Sequence, residues 1–386
     1  MRQFYRRIRA IALGCTALLA LLSSHAQAAI PSASQAPIAM LVDLTSGQVL
    51  HEREVDRRFI PASITKVMTA YVAFELIADG KLSPQQTFVI RPETHAEWFR
   101  KGSTMFLPAG EPATVDNLLR GITTISANDG AIVLAESAAG SVDQWTAMMN
   151  EKAREIGMRN SHFGTPNGWP DEGQTFVTAR DLVTLADALI SKHSVKYGEY
   201  FGHTGFRYGG VAQANHDPLV GRVDGADGIK TGFTNEAGNG YLGSVEREGR
   251  RLVLVIAGSP SEPIRAEAAR SYVEWGFSNF TSQQIFRAND TVGRARVQNG
   301  SASSVTLAAL KPVRIAVPAG TEPKISMSIR YFGPLKAPIA AGQEVAQLEV
   351  RVDGMPTSNL PLIAAEDVGE ASFFGRIANG FGGWFG

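Results

Sequence analysis

The stretch "FIPASITKVMTAYVAFELI", Phe59 to Ile77, decides how this chain is read. After Pro61 the apolar residues Val67, Met68, Tyr71, Phe74, Leu76 and Ile77 recur at helical spacing, which predicts a helix that buries one face. The first turn carries Ser63 and Lys66. Three residues apart, they share one side of the turn, at the end where backbone N–H groups lack helical partners. Two readings fit: a serine capping a core helix beside a solvated lysine, or a nucleophile beside its base.

The rest of the chain sets the limits. With 386 residues, 44% of them hydrophobic, it can bury a sizeable core and more than one domain. The opening "MRQFYRRIRAIALGCTALLALLSSHAQAA" joins an arginine-bearing start, an apolar run from Ile11 to Leu22 and the small-residue pattern Ala26-Gln27-Ala28. It reads as a secretory signal peptide over residues 1–28, because the run is shorter than the roughly 20 residues a bilayer span needs. The single cysteine, Cys15, lies inside it, so disulfide, thiolate and cysteine–metal chemistry drop out of the mature chain. Losing Arg2, Arg6, Arg7 and Arg9 takes the 37 basic residues to 33 against 37 acidic ones, a formal −4. That balance does not suggest a nucleic-acid partner.

"PIAMLVDLTSGQVLHERE" reads as strand, Ser46-Gly47 turn and strand, and "YLGSVEREGRRLVLVIAGS" as a second pair about Glu248-Gly249. Helical patterns fill the interval from Pro61 to Ala188, and another runs through "RAEAARSYVEWGF". Strands at both ends with helices between predict an antiparallel sheet whose first and last strands meet, with a helical part beside it, over residues 33–280. The runs "VTLAALKPVRIAVPAG", "KISMSIRYF" and "VAQLEVRVDG" then predict a small β-sandwich over residues 282–365.

A lone Ser-x-x-Lys is weak evidence, but this one has company. Ser126-Ala127-Asn128 sits at the junction of two helical patterns, and Lys230-Thr231-Gly232 where a strand begins. In this order, Ser63-x-x-Lys66, Ser126-x-Asn128 and Lys230-Thr231-Gly232 resemble the three signature motifs of penicillin-binding proteins and serine β-lactamases. The surroundings "PASITKVMTAY", "ISANDGAIVLAE" and "DGIKTGFT" are similar to the low-molecular-weight penicillin-binding proteins that act as serine-type D-alanyl-D-alanine carboxypeptidases. The resemblance covers about Ile38 to Phe277 and continues into the β domain. It implies an α/β fold of the α+β kind, the penicillin-binding/serine β-lactamase-like transpeptidase fold, followed by a small all-β domain. It also implies removal of the terminal D-Ala from peptidoglycan pentapeptides through an acyl-enzyme on Ser63, acylation by β-lactams, and no metal or other cofactor.

The chemistry gives each motif residue a reason. Serine is a poor nucleophile, so Ser63 needs a base, and Lys66 can serve only when neutral. Burial and a second cation, Lys230, both disfavour its ammonium. Ser126 would relay a proton to the leaving nitrogen, and Asn128 would hold the substrate's carbonyl or orient Lys66. The resemblance places the oxyanion donors at the backbone N–H groups of Ser63 and Phe233. For the substrate carboxylate the candidates are Lys230, Thr231 and Arg265, the last weighed evenly against an ordinary exposed arginine. Gly232 fits a strand that a substrate backbone approaches closely.

One departure stands out: Phe233 occupies the place where a histidine often follows Lys-Thr-Gly in these carboxypeptidases. His51, His95, His162, His193, His203 and His216 form no pair at metal-ligand spacing. Trp98 reads as cleft rim or as packing. Glu172 lacks the Glu-x-x-Leu-Asn context of a class A β-lactamase and reads as a loop carboxylate. The competing functions are a serine β-lactamase and a non-catalytic peptidoglycan-binding protein. Finally, "DVGEASFFGRIANGFGGWFG" places Phe373, Phe374, Ile377, Phe381, Trp384 and Phe385 within a 120° arc of a helix, at 3.6 residues per turn. Residues 367–386 are therefore expected to attach an exported, periplasmic protein peripherally to the outer face of the inner membrane, the alternative being that the tail packs onto the β domain as ordinary core.

Overall fold

The computed structural model describes residues 30–371. The expected leader (1–28), with Cys15, and the expected tail beyond residue 371 lie outside the described residues. Strands β1 (Ile38–Asp43) and β2 (Gln48–Arg53) form a hairpin. A 3-10 turn (Ala62–Thr65) leads into α1 (Lys66–Ala78). Next come β3 (Thr87–Val89), α2 (Pro92–Trp98), β4 (Pro112–Thr114), α3 (Val115–Thr124), α4 (Asn128–Ala139), α5 (Val142–Glu155), α6 (Ala179–Lys192) and α7 (Ser194–Tyr200). A small hairpin of β5 (Gly205–Tyr208) and β6 (Val211–Ala214) precedes the strands β7 (Ala226–Thr234), β8 (Gly238–Arg247) and β9 (Arg250–Ser259), and α8 (Glu262–Asn279) follows them.

The main sheet has the order β2-β1-β9-β8-β7 and is antiparallel throughout. The first strand therefore meets the last, Met40 opposite Val255, as the sequence pattern predicts. Alternation along β1 and β9 feeds two cores. Ile38, Met40, Val42, Val253 and Val255 point to the helical side, whereas Ala39, Leu41, Leu252, Leu254 and Ile256 point to α8. On α8 the buried residues Arg265, Ala268, Ala269, Tyr272, Val273 and Gly276 keep strict helical spacing, so one stripe packs on the sheet.

The helix expected to bury one face does not. Every residue of α1 from Lys66 to Glu75 is buried, because α3, α4, α5 and α6 surround it. Ala70, Val72 and Ala73 complete the apolar surface that the larger side chains leave open.

The chain passes straight from α8 into β10 (Phe280–Phe286) and the all-β region. There β11 (Thr291–Gln298), β12 (Ser304–Ala309), β13 (Val313–Pro318), β14 (Ile325–Arg330), β15 (Leu335–Lys336), β16 (Glu344–Val352) and β17 (Ser358–Ala364) form two sheets. One has the order β14-β16-β17-β12-β11-β15, the other is β10-β13, and a shared apolar core lies between them. Gln48 of β2 reaches across, donating from Nε2 to the Ala316 carbonyl at 3.0 Å and accepting from the Ala316 amide. Residues 367–371, expected to open the tail, belong here instead. Val368 is buried and pairs with Ile339, and the Ala371 amide donates to the Asn299 carbonyl at 2.8 Å.

Candidate active site

Four elements bring the motif residues together. Ser63 lies in the 3-10 turn, Lys66 opens α1, Asn128 opens α4 and Lys230-Thr231-Gly232 lies within β7. Among the helices of ten or more residues, α3, α5, α6 and α8 each begin with a Ser or Thr whose side chain accepts a first-turn amide. The other two, α1 and α4, have no side-chain cap, and these are the helices that carry Lys66 and Asn128. The capping reading of Ser63 is thereby removed; its hydroxyl faces Lys66.

Lys66 Nζ is fully buried, 2.9 Å from Ser63 Oγ, 2.7 Å from Asn128 Oδ1 and 2.6 Å from the Asn167 carbonyl. All three partners are neutral. Burial, then the Lys230 charge, hold the amine well below the ordinary lysine range, and Asp129 only partly offsets them. Asn128 is fixed in turn: its Nδ2 donates to the Lys101 carbonyl at 2.9 Å and its amide to the Ser103 carbonyl at 2.8 Å. Asp129 ties the same loop down by accepting the Met105 and Leu107 amides.

Lys230 is also buried. Desolvation lowers it to about 7, Arg265 adding to the effect while Asp217 opposes it. The open cleft above these groups, about 440 Å³, is lined by Ser63, Ser126, Asn128, Thr231, Phe233 and Arg265, among others. Ser126 holds a left-handed backbone, φ 65°, at the turn between α3 and α4. Phe233 is more than half exposed and forms part of the wall. Arg265 is no ordinary surface arginine. It is 4% exposed and its Nε has no hydrogen-bond partner.

Two glycines allow the walls to close. A Cβ on Gly232 would sit 2.3 Å from the Pro61 carbonyl, so β7 packs directly against the turn holding Ser63. The clearance there serves the protein's own backbone, and Gly232 also lines the cleft that the sequence reading gave to substrate. Gly168, at φ 73°, comes closer still: a Cβ would lie 1.8 Å from the Ala62 carbonyl. This contact fixes the loop whose Asn167 carbonyl holds Lys66.

Sequence reasoning missed Asn167, His216 and Asp217. His216 lines the cleft, and burial followed by Lys230 lowers its pKa. Asp217 accepts the Leu219 and Val220 amides and the Tyr241 hydroxyl, while its Oδ2 has no partner. The Asn167-Gly168 pair was a legible turn signal; nothing marked the other two. Trp98 stands behind the rim, edge-on to Trp169 at 5.6 Å, with Lys101 Nζ 4.3 Å above its ring. Glu172 is exposed and outside the cleft. A second cavity, about 590 Å³, lies behind Trp169 and Asn167 and includes none of the motif side chains.

A serine beside a buried neutral-favouring lysine, with a second lysine on the facing strand, defines a serine acyl-transfer enzyme that uses lysine where others use histidine. Residues 24–261 match the D-alanyl-D-alanine carboxypeptidase family of serine peptidases, and residues 280–370 match the C-terminal domain of penicillin-binding protein 5. The chain belongs to that carboxypeptidase family, the low-molecular-weight penicillin-binding proteins. It is similar to the Escherichia coli D-alanyl-D-alanine carboxypeptidase DacD, 32% identical over 347 residues, 89% of each chain. Its fold is similar to penicillin-binding protein 5 of Haemophilus influenzae, TM-score 0.76 at 29% identity, covering 89% of this chain and all of the other. It also resembles ampicillin-bound penicillin-binding protein D2 of Listeria monocytogenes, TM-score 0.57 at 26% identity, over 63% of this chain and 98% of that one.

Proposed function

We propose that this cleft removes the terminal D-Ala of peptidoglycan pentapeptides in two acyl-transfer steps, with Ser63 as nucleophile and Lys66 as base. The observation that carries the reading is the set of three neutral partners around Lys66 Nζ. A neutral amine has two N–H groups and one lone pair. The two N–H groups go to the Asn128 and Asn167 carbonyl oxygens, which leaves the lone pair to accept the Ser63 O–H. As that proton moves to Lys66, Ser63 Oγ attacks the penultimate D-Ala carbonyl and the oxyanion forms against the Ser63 and Phe233 amides. The C–N bond breaks, Ser126 passes a proton to the leaving amine, and D-Ala departs. Water then attacks the Ser63 ester, and the released serine recovers its proton. Asn128 keeps Lys66 aimed throughout.

The substrate's free carboxylate meets Thr231, the Lys230 charge and Arg265, whose unpartnered Nε faces the need for an anion. Gly232 keeps that strand close to the nucleophile. The same positions suit a β-lactam, which would remain as a slow ester on Ser63. The assay is release of D-Ala from a muropeptide ending in D-Ala-D-Ala, run beside retention of labelled penicillin. Release that disappears with Ser63→Ala supports the assignment, and labelling retained in that variant would sink it.

We further infer that the mature chain starts after residue 28, comprises a catalytic region (33–280) and a β region extended to 371, and works in the periplasm. Peripheral attachment to the outer face of the inner membrane would come from the aromatic residues after 371, which carry one cation, Arg376. No helix of the described residues is long and apolar enough to cross a membrane. Ending the chain after Ala371, rather than earlier, spares the buried Val368. This truncated form should leave the membrane fraction with penicillin labelling intact.

A further inference from the structure

Phe332 is 102% exposed, the most exposed large apolar side chain among the described residues. It stands in the loop between β14 and β15, far from the catalytic cleft in the chain's order. One exposed aromatic ring is ordinary on a protein surface, but a ring in full contact with water gains free energy from a partner that covers it. Three features of its neighbourhood say what that is.

The first is where the described chain ends. Ala371 donates to the Asn299 carbonyl, and Gly300 pairs with Glu370, so the chain leaves the fold beside the end of β11. The Phe332 loop lies along that strand. The Arg296 amide donates to the Tyr331 hydroxyl at 3.3 Å, and β15 runs parallel to β11 with Val297 opposite Leu335 and Gln298 opposite Lys336. From Asn299 back to Arg296 is about 10 Å along a strand. The second feature is the length of chain beyond Ala371. The fifteen residues from Ser372 to Gly386, rich in Phe and Trp, would extend about 22 Å as a helix, enough to lie beside Phe332 at one level. The third is charge. On β11 the exposed Arg294 and Arg296 alternate with the buried Ala295 and Val297, and Lys336, exposed and opposite Gln298, continues the outer row. The acidic Glu366, Asp367 and Glu370 near the chain's exit offset part of that charge, so the ring and not the cations supplies most of the attraction.

We propose that Phe332 is a second lipid contact, inserting its ring into the membrane interface beside the terminal tail while Arg296 and Lys336 face the headgroups. The inference rests on the reading that the tail lies in that interface. Two contacts on one rigid β region would fix its orientation on the surface, which a single contact cannot do.

The test uses the full mature chain and vesicles of phosphatidylcholine with a minority of phosphatidylglycerol, read by co-sedimentation. Phe332→Ser should weaken partition about tenfold, which corresponds to about 1.4 kcal/mol, and Phe332→Trp should retain it. The paired change Arg296→Gln with Lys336→Gln should weaken it about threefold on these vesicles and leave pure phosphatidylcholine unaffected. Because position 332 touches only solvent, melting temperature and penicillin labelling serve as controls and should not change. If Phe332→Ser binds like the parent, this proposal is wrong and the tail reading stands. If the full chain ignores vesicles, both fall. If Phe332 affects capture of a protein but not of lipid, the occupant is a protein and the lipid contact is wrong.

Discussion

The two ends of helix α1 treat a buried charge in opposite ways. At its start Lys66 has only neutral hydrogen-bond partners, and burial with Lys230 drives it towards the neutral form. About 14 Å along the same helix, Glu75 is met by His193 Nε2 at 2.6 Å, Lys192 at 2.7 Å and Lys152 at 3.7 Å. Burial alone would raise that carboxyl, but the hydrogen bonds from Lys192 and His193 outweigh it and its pKa ends below the usual value. One end neutralises its charge with partners and gains stability. The other withholds a counter-ion, which is what the base proposed above requires.

The largest expected effect breaks the two ends apart. Lys66→Arg keeps a cation that cannot give up its proton, so penicillin acylation and D-Ala release should fall by at least about a thousandfold. Lys66→Gln, smaller and uncharged, should be as inactive and guards against misfolding of the first variant. Glu75→Gln should leave acylation within a fewfold of the parent and lower stability by about 1 to 3 kcal/mol, since it leaves cations around a neutral amide. Stopped-flow acylation and thermal unfolding read both. The contrast collapses if Glu75→Gln is the inactive variant.

A smaller loss should come from disturbing geometry while sparing every polar group. Gly232→Ala brings a methyl 2.3 Å from the Pro61 carbonyl, so β7 and the Ser63 turn must separate by about 1 Å. Misplacement on that scale costs on the order of a hundredfold in turnover. Gly198→Ala, within α7 where the backbone is ordinary and an added methyl meets nothing within 4 Å, is the control. Equal activity of the two variants would show that strand placement does not govern Ser63.

These effects differ in how far they were legible beforehand. That Ser63, Lys66, Ser126, Asn128 and Lys230 come together was legible because each motif is short and its spacing is kept by one turn or strand. The antiparallel sheet was legible too, since Ile38–Val42 and Leu252–Ala257 are continuous apolar runs. The Asn167 carbonyl was not, because a backbone oxygen has no sequence signature and reaches Lys66 only through the path of a loop held at Gly168. Asp217 was hidden for a related reason: its meaning comes from Tyr241 and Lys230, which lie 24 and 13 positions away. The all-round burial of α1 was missed by weighing only its large side chains. The edge of the β region was misplaced because Val368 pairs over too few residues to show a period.

The pH profile sharpens the difference between the two lysines. In the proposed mechanism Lys66 works when neutral, so acylation should rise with pH through a midpoint well below the ordinary 10.4 of lysine. Lys230 attracts the carboxylate when charged, so kcat/KM for a D-Ala-D-Ala peptide should fall above about 7, up to tenfold per unit. A bound carboxylate raises Lys230, so the falling limb of kcat should lie at higher pH than that of kcat/KM. A substrate lacking the free carboxylate should lose the falling limb and keep the rise. A profile climbing steadily to 10 would mean that neither lysine is depressed.

The smallest effect concerns stability and also comes from Lys230. Its pKa is about 7 in the folded chain and about 10.4 when unfolded. Below pH 7 both states hold the proton, and the cost of burying the charge is fully present. Between 7 and 10.4 the unfolded state binds a proton that the folded state does not, so the free energy of unfolding rises with pH. Above 10.4 both are neutral and the cost is gone. Lys230→Met removes this term, whatever it does to packing or to Asp217. The variant's stability relative to the parent should therefore worsen by about 1 kcal/mol between pH 7.5 and 8.5, measured by urea unfolding at each pH. Glu75→Gln, which removes a carboxyl that titrates in the acid range, should show no such change over that interval. If the Lys230→Met difference is flat across it, Lys230 is not depressed in the folded protein, and the contrast between a neutralised and an exploited buried charge must rest on Lys66 alone.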